Sequence, residues 1–260
     1  MKNTSPKLNP KKRYLQIALN STLKEAFRII ELLPISDRIL IEVGTPLIKQ
    51  YGQEAIRKIK TWYKEKLFAQ ETSPPSSFSF FDFISKIISQ KSSSKSSHFE
   101  TIPYIVADLK TIDRAEREVK IASFAGADAV VAMGSAPVET LNAFIESCQK
   151  FGVDAMIDMM NVDYPLSVLR KLKRLPQVVI LHRGVDEERL NKEKTLPLYE
   201  IKRIKANYDI LVSVAGGDTI REIQSAILND ADIVVVWKDF YKSSESTAKL
   251  AEEFLKKIKQ

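Results

Sequence analysis

The stretch Val178-Val179-Ile180-Leu181-His182 decides the fold class of this chain. Four consecutive apolar residues precede a histidine. A continuous apolar run of this length is typical of a strand buried on both faces, and such strands occur in parallel sheets that helices cover. Ile233-Val234-Val235-Val236 repeats the pattern near the other end of the chain. The two runs together predict an α/β fold built around a parallel sheet.

Short β-rich runs alternate with helix-like runs along almost the whole chain. The connecting segments are amphipathic, with apolar residues at helical spacing as in Leu23/Phe27/Ile30. Eight such units most simply close into a (β/α)8 TIM barrel. A doubly wound open sheet is the alternative, although no Gly-x-Gly-x-x-Gly follows the first strand. The predicted strands are Tyr14–Leu19, Arg38–Glu42, Pro103–Asp108, Ala129–Met133, Val153–Asp158, Val178–His182, Ile210–Val214 and Ile233–Trp237.

A short internal repeat agrees with the barrel. Gly126-Ala127-Asp128-Ala129-Val130-Val131 precedes the end of the fourth strand, and Asp230-Ala231-Asp232-Ile233-Val234-Val235 precedes the end of the eighth. A duplicated half-barrel would place the two copies at these strands.

Charge and cysteine content narrow the class of protein. The chain has 260 residues and a net charge of +7, of which residues 1–13 supply +5 and leave +2 for the rest. We therefore expect a flexible basic tail at 1–13 and no nucleic-acid surface on the body, with weak nucleic-acid or membrane contact through the tail left open. The single cysteine, Cys148, excludes an intramolecular disulfide and favours a cytoplasmic protein. We expect no membrane span, because no apolar run approaches about 20 residues. We also expect no signal peptide, because the apolar run after the basic start is short and is interrupted by Gln16 and Asn20.

Residues 67–100 interrupt the barrel pattern of residues 14–260. This serine-rich insertion follows the second helix, precedes the third strand, and contains the aromatic stretch 78–88. Loops at that position lie on the face of a barrel away from catalysis, so we expect no chemistry there. We predict a short helix between serine-rich arms that docks on its own barrel, on a partner subunit or on a membrane surface.

Charged and polar residues stand at the C-terminal ends of the predicted strands, where the catalytic residues of a barrel collect. Asp108 and Lys110 point to the same side of an extended segment and predict a charged active site, with a helix-capping loop as the alternative. Glu42 and Asp108 lie on neighbouring strands and suit Mg²⁺, which typically takes one or two carboxylates. The alternative is an ion pair between Glu42 and Lys110 without metal.

His182 and a glycine pair complete the candidate site. A histidine at a strand end is a natural proton carrier near neutral pH, and its alternative is a satisfied structural residue. Gly216-Gly217 lets backbone amides approach an anion, or simply forms a tight turn.

Three segments of the sequence form a recognisable set: Ile41-Glu42-Val43-Gly44-Thr45-Pro46-Leu47-Ile48-Lys49, Val106-Ala107-Asp108-Leu109-Lys110-Thr111-Ile112-Asp113 and Val214-Ala215-Gly216-Gly217. They resemble the corresponding segments of 3-hexulose-6-phosphate synthases of the orotidine-5′-phosphate decarboxylase suprafamily. The resemblance covers roughly residues 14–240 without 67–100. It implies a homodimeric (β/α)8 barrel with active sites at the interface. The implied chemistry is a magnesium-assisted aldol reaction between formaldehyde and D-ribulose 5-phosphate, through an enediolate.

The resemblance also implies roles for individual residues. Glu42 and Asp108 would hold Mg²⁺, Lys110 would assist proton transfer, and His182 would carry a proton to and from the enediolate. Asp113 would reach into the neighbouring protomer's site, and the amides near Gly216-Gly217 would hold the substrate phosphate.

Two positions depart from the family pattern. Asn20 stands where an aspartate is usual, and an amide cannot supply the negative charge that tunes Lys110. Trp237-Lys238 replaces the usual Gly-Arg, so Lys238 or Arg183 would supply the cation for the phosphate. These changes indicate a divergent member and leave two alternatives. One is a related sugar-acid phosphate decarboxylase, and the other is a non-catalytic barrel that serves as a binding subunit.

Overall fold

The computed structural model describes residues 5–72, 103–191, 193–217, 219–237 and 244–258. Within them, eight parallel strands close in sequence order into a barrel, and the last strand pairs with the first. The predicted (β/α)8 barrel is therefore confirmed. The strands are β1 Tyr14–Leu19, β2 Ile39–Val43, β3 Ile105–Thr111, β4 Ala129–Met133, β5 Asp154–Asp158, β6 Val178–His182, β7 Leu211–Ala215 and β8 Ile233–Val236.

Helices follow the strands and cover the outside of the barrel. Amphipathic faces bury residues such as Ile29 and Ile30 of the first helix against the outward side chains of the strands. The described helices are α1 Leu23–Leu32, α2 Thr45–Tyr51, α3 Gln53–Thr72, α4 Ala115–Ala125, α5 Val138–Phe151, α6 Pro165–Leu169, α7 Val185–Leu190, α8 Tyr199–Lys205, α9 Ile220–Leu228 and α10 Ser244–Lys257. No described helix is long and apolar enough to cross a membrane.

Alternation along each strand creates two cores. In β1, Leu15, Ile17 and Leu19 pack outward against the helices, whereas Tyr14 and Ala18 point into the barrel. The inner core is closed by apolar residues from all eight strands, so the barrel interior is filled rather than open. Polar side chains of the inner set lie mainly at the two ends of the barrel, and they define the candidate site at one of them.

The internal repeat seen in the sequence has a structural counterpart. Asp128 before β4 exchanges hydrogen bonds with the backbone of Ile105, at 2.7 and 3.0 Å. Asp232 before β8 does the same with Val212, at 2.8 Å each. A lysine from the covering helices neutralises each carboxylate, Lys60 at 2.6 Å and Lys205 at 2.8 Å respectively. The two corners lie four strands apart, as a duplicated half-barrel requires.

The prediction of a flexible tail is wrong for residues 5–13. Leu8 is buried in the inner core, and the Lys7 backbone N–H donates to Asp154 Oδ2 at 2.9 Å. The Asn9 N–H donates to the Tyr14 hydroxyl at 2.8 Å, and Arg13 pairs with Asp230 and Asp232. The segment therefore covers the N-terminal end of the barrel, because an apolar side chain and buried hydrogen bonds hold it there.

The predicted insertion begins later than expected. Helix α3 runs to Thr72, so residues 67–72 continue the helix instead of opening a loop. The helix-favouring sequence Leu67-Phe68-Ala69-Gln70-Glu71 meets no proline before Pro74, which explains the later end. The rest of the insertion, including the stretch 78–88, lies outside the described residues.

Candidate active site at the C-terminal end of the barrel

A cavity of about 430 Å³ opens at the C-terminal ends of the strands. Its floor is apolar, with Val131, Ile180 and Val235 from the inner core. Its polar lining brings together most of the residues predicted from the sequence: Asn20, Glu42, Asp108, Lys110, Asp158 and His182. Five of these were predicted as site residues from their positions at strand ends, and Asp158 joins them.

Strand β3 delivers its two charged residues through an irregular backbone. Its register against β4 shifts between Ala107 and Thr111, and Lys110 adopts φ 47°, in the left-handed region that few non-glycine residues occupy. The Lys110 ammonium lies 3.1 Å from Asp108 Oδ2. The two side chains meet as predicted, but through this local distortion and not through regular alternation. Such distortion is costly and is commonly retained at functional sites.

Asp158 at the end of β5 connects the two cationic groups of the site. Its Oδ2 accepts hydrogen bonds from Lys110 Nζ at 2.9 Å and from His182 Nδ1 at 2.7 Å. Its Oδ1 accepts the Met160 backbone N–H at 2.9 Å. Burial opposes ionisation, but His182 and Lys110 outweigh it and lower the pKa of Asp158 well below its usual range. Asp158 was not predicted as a site residue, although a carboxylate at the end of an apolar strand was the available signal.

The charges of the site raise the pKa values of Lys110 and His182. Burial disfavours the charge on Lys110, but Asp108 and Asp158 outweigh it and raise its pKa. Burial likewise lowers the pKa of His182, and Asp158 reverses this and raises it above the usual value. An ionised carboxylate only accepts hydrogen bonds, so Nδ1 of His182 carries the proton toward Asp158. His182 lies on the cavity wall, and its role as a proton carrier stays a prediction.

Glu42 points into the barrel from β2. Gln16 Nε2 donates to its Oε2 at 2.6 Å, in a buried contact. Burial, and then the negative charge of Asp108, raise the pKa of Glu42 to about 7. The alternative of an ion pair between Glu42 and Lys110 is not formed, since among the described residues the lysine pairs with Asp108 and Asp158. Gln16 was not predicted as part of the site, although an amide within the otherwise apolar sequence of β1 was the available signal.

Glu42 and Asp108 suit a hard cation. Asp108 Oδ2 accepts from the Thr45 hydroxyl at 2.9 Å, whereas its Oδ1 is buried without a hydrogen-bond partner. A buried, unpartnered carboxylate oxygen beside a desolvated carboxylate is the environment that a cation would stabilise. No group of three or more metal-binding side chains forms within the described residues. Two carboxylates agree with Mg²⁺, which keeps waters and takes substrate oxygens.

Asn20 and Trp237, the two departures from the family pattern, both line the cavity. The Asn20 amide lies across Gly44, where a Cβ would come within 1.8 Å of Asn20 Oδ1. Gly44 is thus required for the amide to reach the cavity. Trp237 forms part of the wall beside Val235 and Gly216. Lys238 lies outside the described residues.

The predicted anion-binding residues divide into two groups. Gly216 lines the cavity, at φ 96°. Gly217 lies against Glu222 and Leu196 and reaches the cavity wall only through the peptide that joins it to Gly216. Arg183 does not line the cavity either, so its direct contact with the substrate stays a prediction. Its guanidinium turns behind the wall, where Nη2 donates to the Gly216 carbonyl and to Glu222, whereas the buried Nε has no hydrogen-bond partner among the described residues.

Asp113 lies apart from the cluster within one chain. It is exposed in the loop between β3 and α4 and does not line the cavity of its own barrel. The neighbouring Ile112 is 56% exposed. The role of Asp113 in a second protomer's site therefore stays a prediction.

Comparison with known proteins gives this geometry a context. Residues 92–252 match the family described as Orotidine 5'-phosphate decarboxylase / HUMPS family. A bifunctional enzyme Fae/Hps of Methanothrix thermoacetophila is 35% identical over 95% of this chain and 53% of that protein. Its counterpart in Methanocella arvoryzae is 32% identical over 95% of this chain and 53% of that protein. The chain spans about half the length of the curated relatives it matches.

A solved structure shares the fold. The 3-hexulose-6-phosphate synthase from Salmonella typhimurium superimposes with a TM-score of 0.71 and 22% identity, over 94% of this chain and 99% of that chain. The family match covers more than half of the chain, on the same strands that supply Asp108, Lys110, Asp158 and His182. The chain therefore belongs to the Orotidine 5'-phosphate decarboxylase / HUMPS family.

Proposed function

We propose that the chain is a magnesium-dependent lyase of the 3-hexulose-6-phosphate synthase type. On this proposal it joins formaldehyde to C1 of D-ribulose 5-phosphate and cleaves 3-hexulose 6-phosphate in the reverse direction. The contact of Lys110 and His182 with the single carboxylate of Asp158 is the observation that carries the proposal. The name Hps of its relatives and the fold shared with a 3-hexulose-6-phosphate synthase support the choice of reaction.

The charges of the cluster suit an anionic intermediate. Glu42, Asp108 and Asp158 oppose Lys110 and, once it has taken up a proton, His182, which leaves one net negative charge when all five are ionised. Mg²⁺ held by Glu42 and Asp108 would reverse that sign and supply Lewis-acid stabilisation to neighbouring oxygens. The cluster would then carry one net positive charge, which favours an enediolate over the neutral substrate.

The chain's own residues account for the proton transfers. In the synthesis direction, the neutral imidazole of His182, with its Nδ1 proton toward Asp158, takes the proton from C1 of ribulose 5-phosphate. The resulting enediolate forms the new carbon–carbon bond with formaldehyde, whose oxygen then takes up that proton. In cleavage the same hydroxyl gives up its proton, the carbon–carbon bond breaks, formaldehyde leaves, and His182 returns a proton to C1. Asp158 fixes the imidazole and stabilises its protonated form, while the Lys110 ammonium stays charged beside the developing negative oxygen.

We also propose that the enzyme is a homodimer with shared active sites. Asp113 is exposed beside Ile112, at the cavity end of the barrel, and contributes nothing to its own chain's cavity. A partner barrel that covers this loop would bring the carboxylate to a second site.

Formaldehyde release from 3-hexulose 6-phosphate, measured with and without Mg²⁺, tests the proposal. We expect magnesium-dependent turnover that Lys110→Met lowers by roughly 10²- to 10⁴-fold. Lys202→Met, which removes an exposed lysine from α8, is the matched control and should retain wild-type turnover. Metal-independent turnover would remove the magnesium assignment.

Two other outcomes would replace the proposal. Release of CO₂ from a β-keto sugar-acid phosphate, without formaldehyde release from the hexulose, would make the chain a decarboxylase. No turnover of either substrate, with activity gained in Asn20→Asp, would make it a barrel that has lost catalysis.

A further inference from the structure

The wall between β6 and β7 is built around Arg183. Its backbone N–H donates to the Ala215 carbonyl at 3.0 Å, which extends the pairing of the two strands past their ends. Its side chain is only 12% exposed, and its Nη2 donates to the Gly216 carbonyl at 2.5 Å. Arg183 therefore bonds to two consecutive carbonyls, that of Ala215 through its backbone and that of Gly216 through its guanidinium.

Glu222 on α9 ties the same guanidinium to the start of the helix. Its Oε1 accepts from Arg183 Nη2 at 3.1 Å. Its Oε2 accepts from the Thr219 N–H at 3.2 Å and from the Thr219 hydroxyl at 3.0 Å. The Glu222 carboxylate thus completes the capping box of α9 and also forms an ion pair with Arg183. The orientation of Arg183 is therefore coupled to the loop between β7 and α9.

The surroundings of Gly216 restrict the backbone conformation of this loop. Gly216 has φ 96°, and a Cβ there would lie 2.2 Å from the Arg183 carbonyl oxygen. In the trans peptide that joins Gly216 to Gly217, the carbonyl and the N–H point in opposite directions. Because the carbonyl faces the Arg183 guanidinium, the Gly217 N–H faces away from it. No acceptor for that N–H is found among the described residues.

We propose that Arg183 is a positioning residue that fixes the orientation of the Gly216–Gly217 peptide, so that its N–H is presented to the phosphate of the substrate. The inference rests on the proposed function, because that function requires a sugar phosphate at this end of the barrel. Arg183 itself does not touch the phosphate. The charge-assisted bond to the Gly216 carbonyl holds the peptide in one orientation before the substrate arrives.

Titration calorimetry with D-ribulose 5-phosphate and with D-ribulose tests the inference without relying on turnover. We expect Arg183→Gln to weaken binding of the phosphorylated sugar by roughly 10- to 100-fold and to change binding of D-ribulose by less than about 3-fold. In kinetics, KM for the phosphorylated substrate should rise while kcat changes little. Arg189→Gln, which removes an exposed arginine from α7, controls for the loss of one positive charge.

Two further variants separate positioning from folding. Arg183→Lys keeps the charge but cannot reach both acceptors, and we expect an intermediate affinity. Glu222→Gln should weaken phosphate binding in the same direction, and the double variant with Arg183→Gln should be no weaker than the single one. If Arg183→Gln does not fold, Arg183→Lys and Glu222→Gln can be compared with the wild type instead.

The possible results distinguish the inference from the proposed function. Unchanged affinity for D-ribulose 5-phosphate in the Arg183 variants, or an equal loss in Arg189→Gln, overturns the inference while turnover of the wild type is unaffected. A wild type without turnover whose binding of D-ribulose 5-phosphate still depends on Arg183 overturns the proposed function alone.

Discussion

At the scale of single residues, the site depends on charges that neutralise one another in a buried place. Asp158 is almost fully buried, and its ionised carboxylate would destabilise the fold without its two cationic partners. Lys110 divides its ammonium between Asp108 and Asp158. Loss of one member therefore leaves an opposite charge without a partner, and the effect on catalysis and on stability should appear together.

Asp158→Asn should lower kcat for cleavage by roughly 10²- to 10⁴-fold, because the His182 imidazolium loses the group that stabilises it. The pKa of His182 should fall, since Asp158 is the group that raises it. Histidine proton resonances followed by NMR as a function of pH would measure that change. Asp163→Asn removes a nearby exposed carboxylate and should leave both quantities unchanged.

Glu42→Gln should make the metal-free protein more stable at pH 8. The pKa of Glu42 is raised to about 7 in the folded chain, so the folded protein binds this proton more tightly than the unfolded chain does. The free energy of unfolding therefore falls as the pH rises from the unfolded pKa of Glu42 to its folded pKa near 7. Glutamine removes that loss, and we expect a gain of about 1–3 kcal/mol in the free energy of unfolding at pH 8 but none near pH 4. Denaturant unfolding with a chelator present would measure it. Mg²⁺ should stabilise the wild type and not the variant.

At the scale of elements, the sequence pattern predicted the bounds of regular strands well and those of irregular segments poorly. Three strands, Tyr14–Leu19, Ala129–Met133 and Val178–His182, have the bounds that apolar patterning predicts. Strand β3 was predicted to end at Asp108, yet it continues to Thr111. No glycine or asparagine marks the left-handed turn at Lys110, so sequence pattern alone had no signal for it.

The same contrast holds for the candidate site. The strand-end rule identified Glu42, Asp108, Lys110 and His182, because the ends of parallel strands meet whatever the loops do. The rule did not distinguish Asp158 from other strand-end carboxylates, and it did not show that Arg183 turns away from the cavity. Both depend on side-chain rotamers, which packing sets and local sequence does not.

Gly216→Ala should destabilise the protein far more than Gly152→Ala. Both glycines have positive φ, but a Cβ at Gly152 meets nothing within 4 Å, whereas one at Gly216 would meet the Arg183 carbonyl at 2.2 Å. We expect a cost of about 1 kcal/mol at Gly152 and roughly 2–4 kcal/mol at Gly216, measured by denaturant unfolding. Equal costs would mean that backbone strain alone, and not the clash, governs this loop.

At the scale of the whole molecule, the two ends of the barrel have different tasks. Residues 5–13 and the aspartate corners before β4 and β8 close the N-terminal end with buried hydrogen bonds and ion pairs. The C-terminal end holds the cavity and its unpartnered carboxylate oxygen. Stability and chemistry are thereby separated along the barrel axis, as expected of this fold.

The proposed shared sites can be tested by mixing two inactive variants. Lys110→Ala removes the ammonium from its own cavity, and Asp113→Ala should remove a group from the partner's cavity. If the subunits exchange freely, an equimolar mixture should recover about a quarter of wild-type activity, because half of the dimers gain one intact site of two. No recovery after confirmed subunit exchange would place Asp113 outside catalysis.

The left-handed backbone at Lys110 has a consequence for attempts to improve this protein. A side chain in that conformation costs on the order of 1–2 kcal/mol relative to glycine. A glycine at position 110 would relieve that strain but would leave the buried carboxylate of Asp158 without one of its two cationic partners, so selection for heat tolerance has little to gain there. Libraries aimed at a hardier catalyst should hold this codon fixed and seek their gains at the opposite end of the barrel.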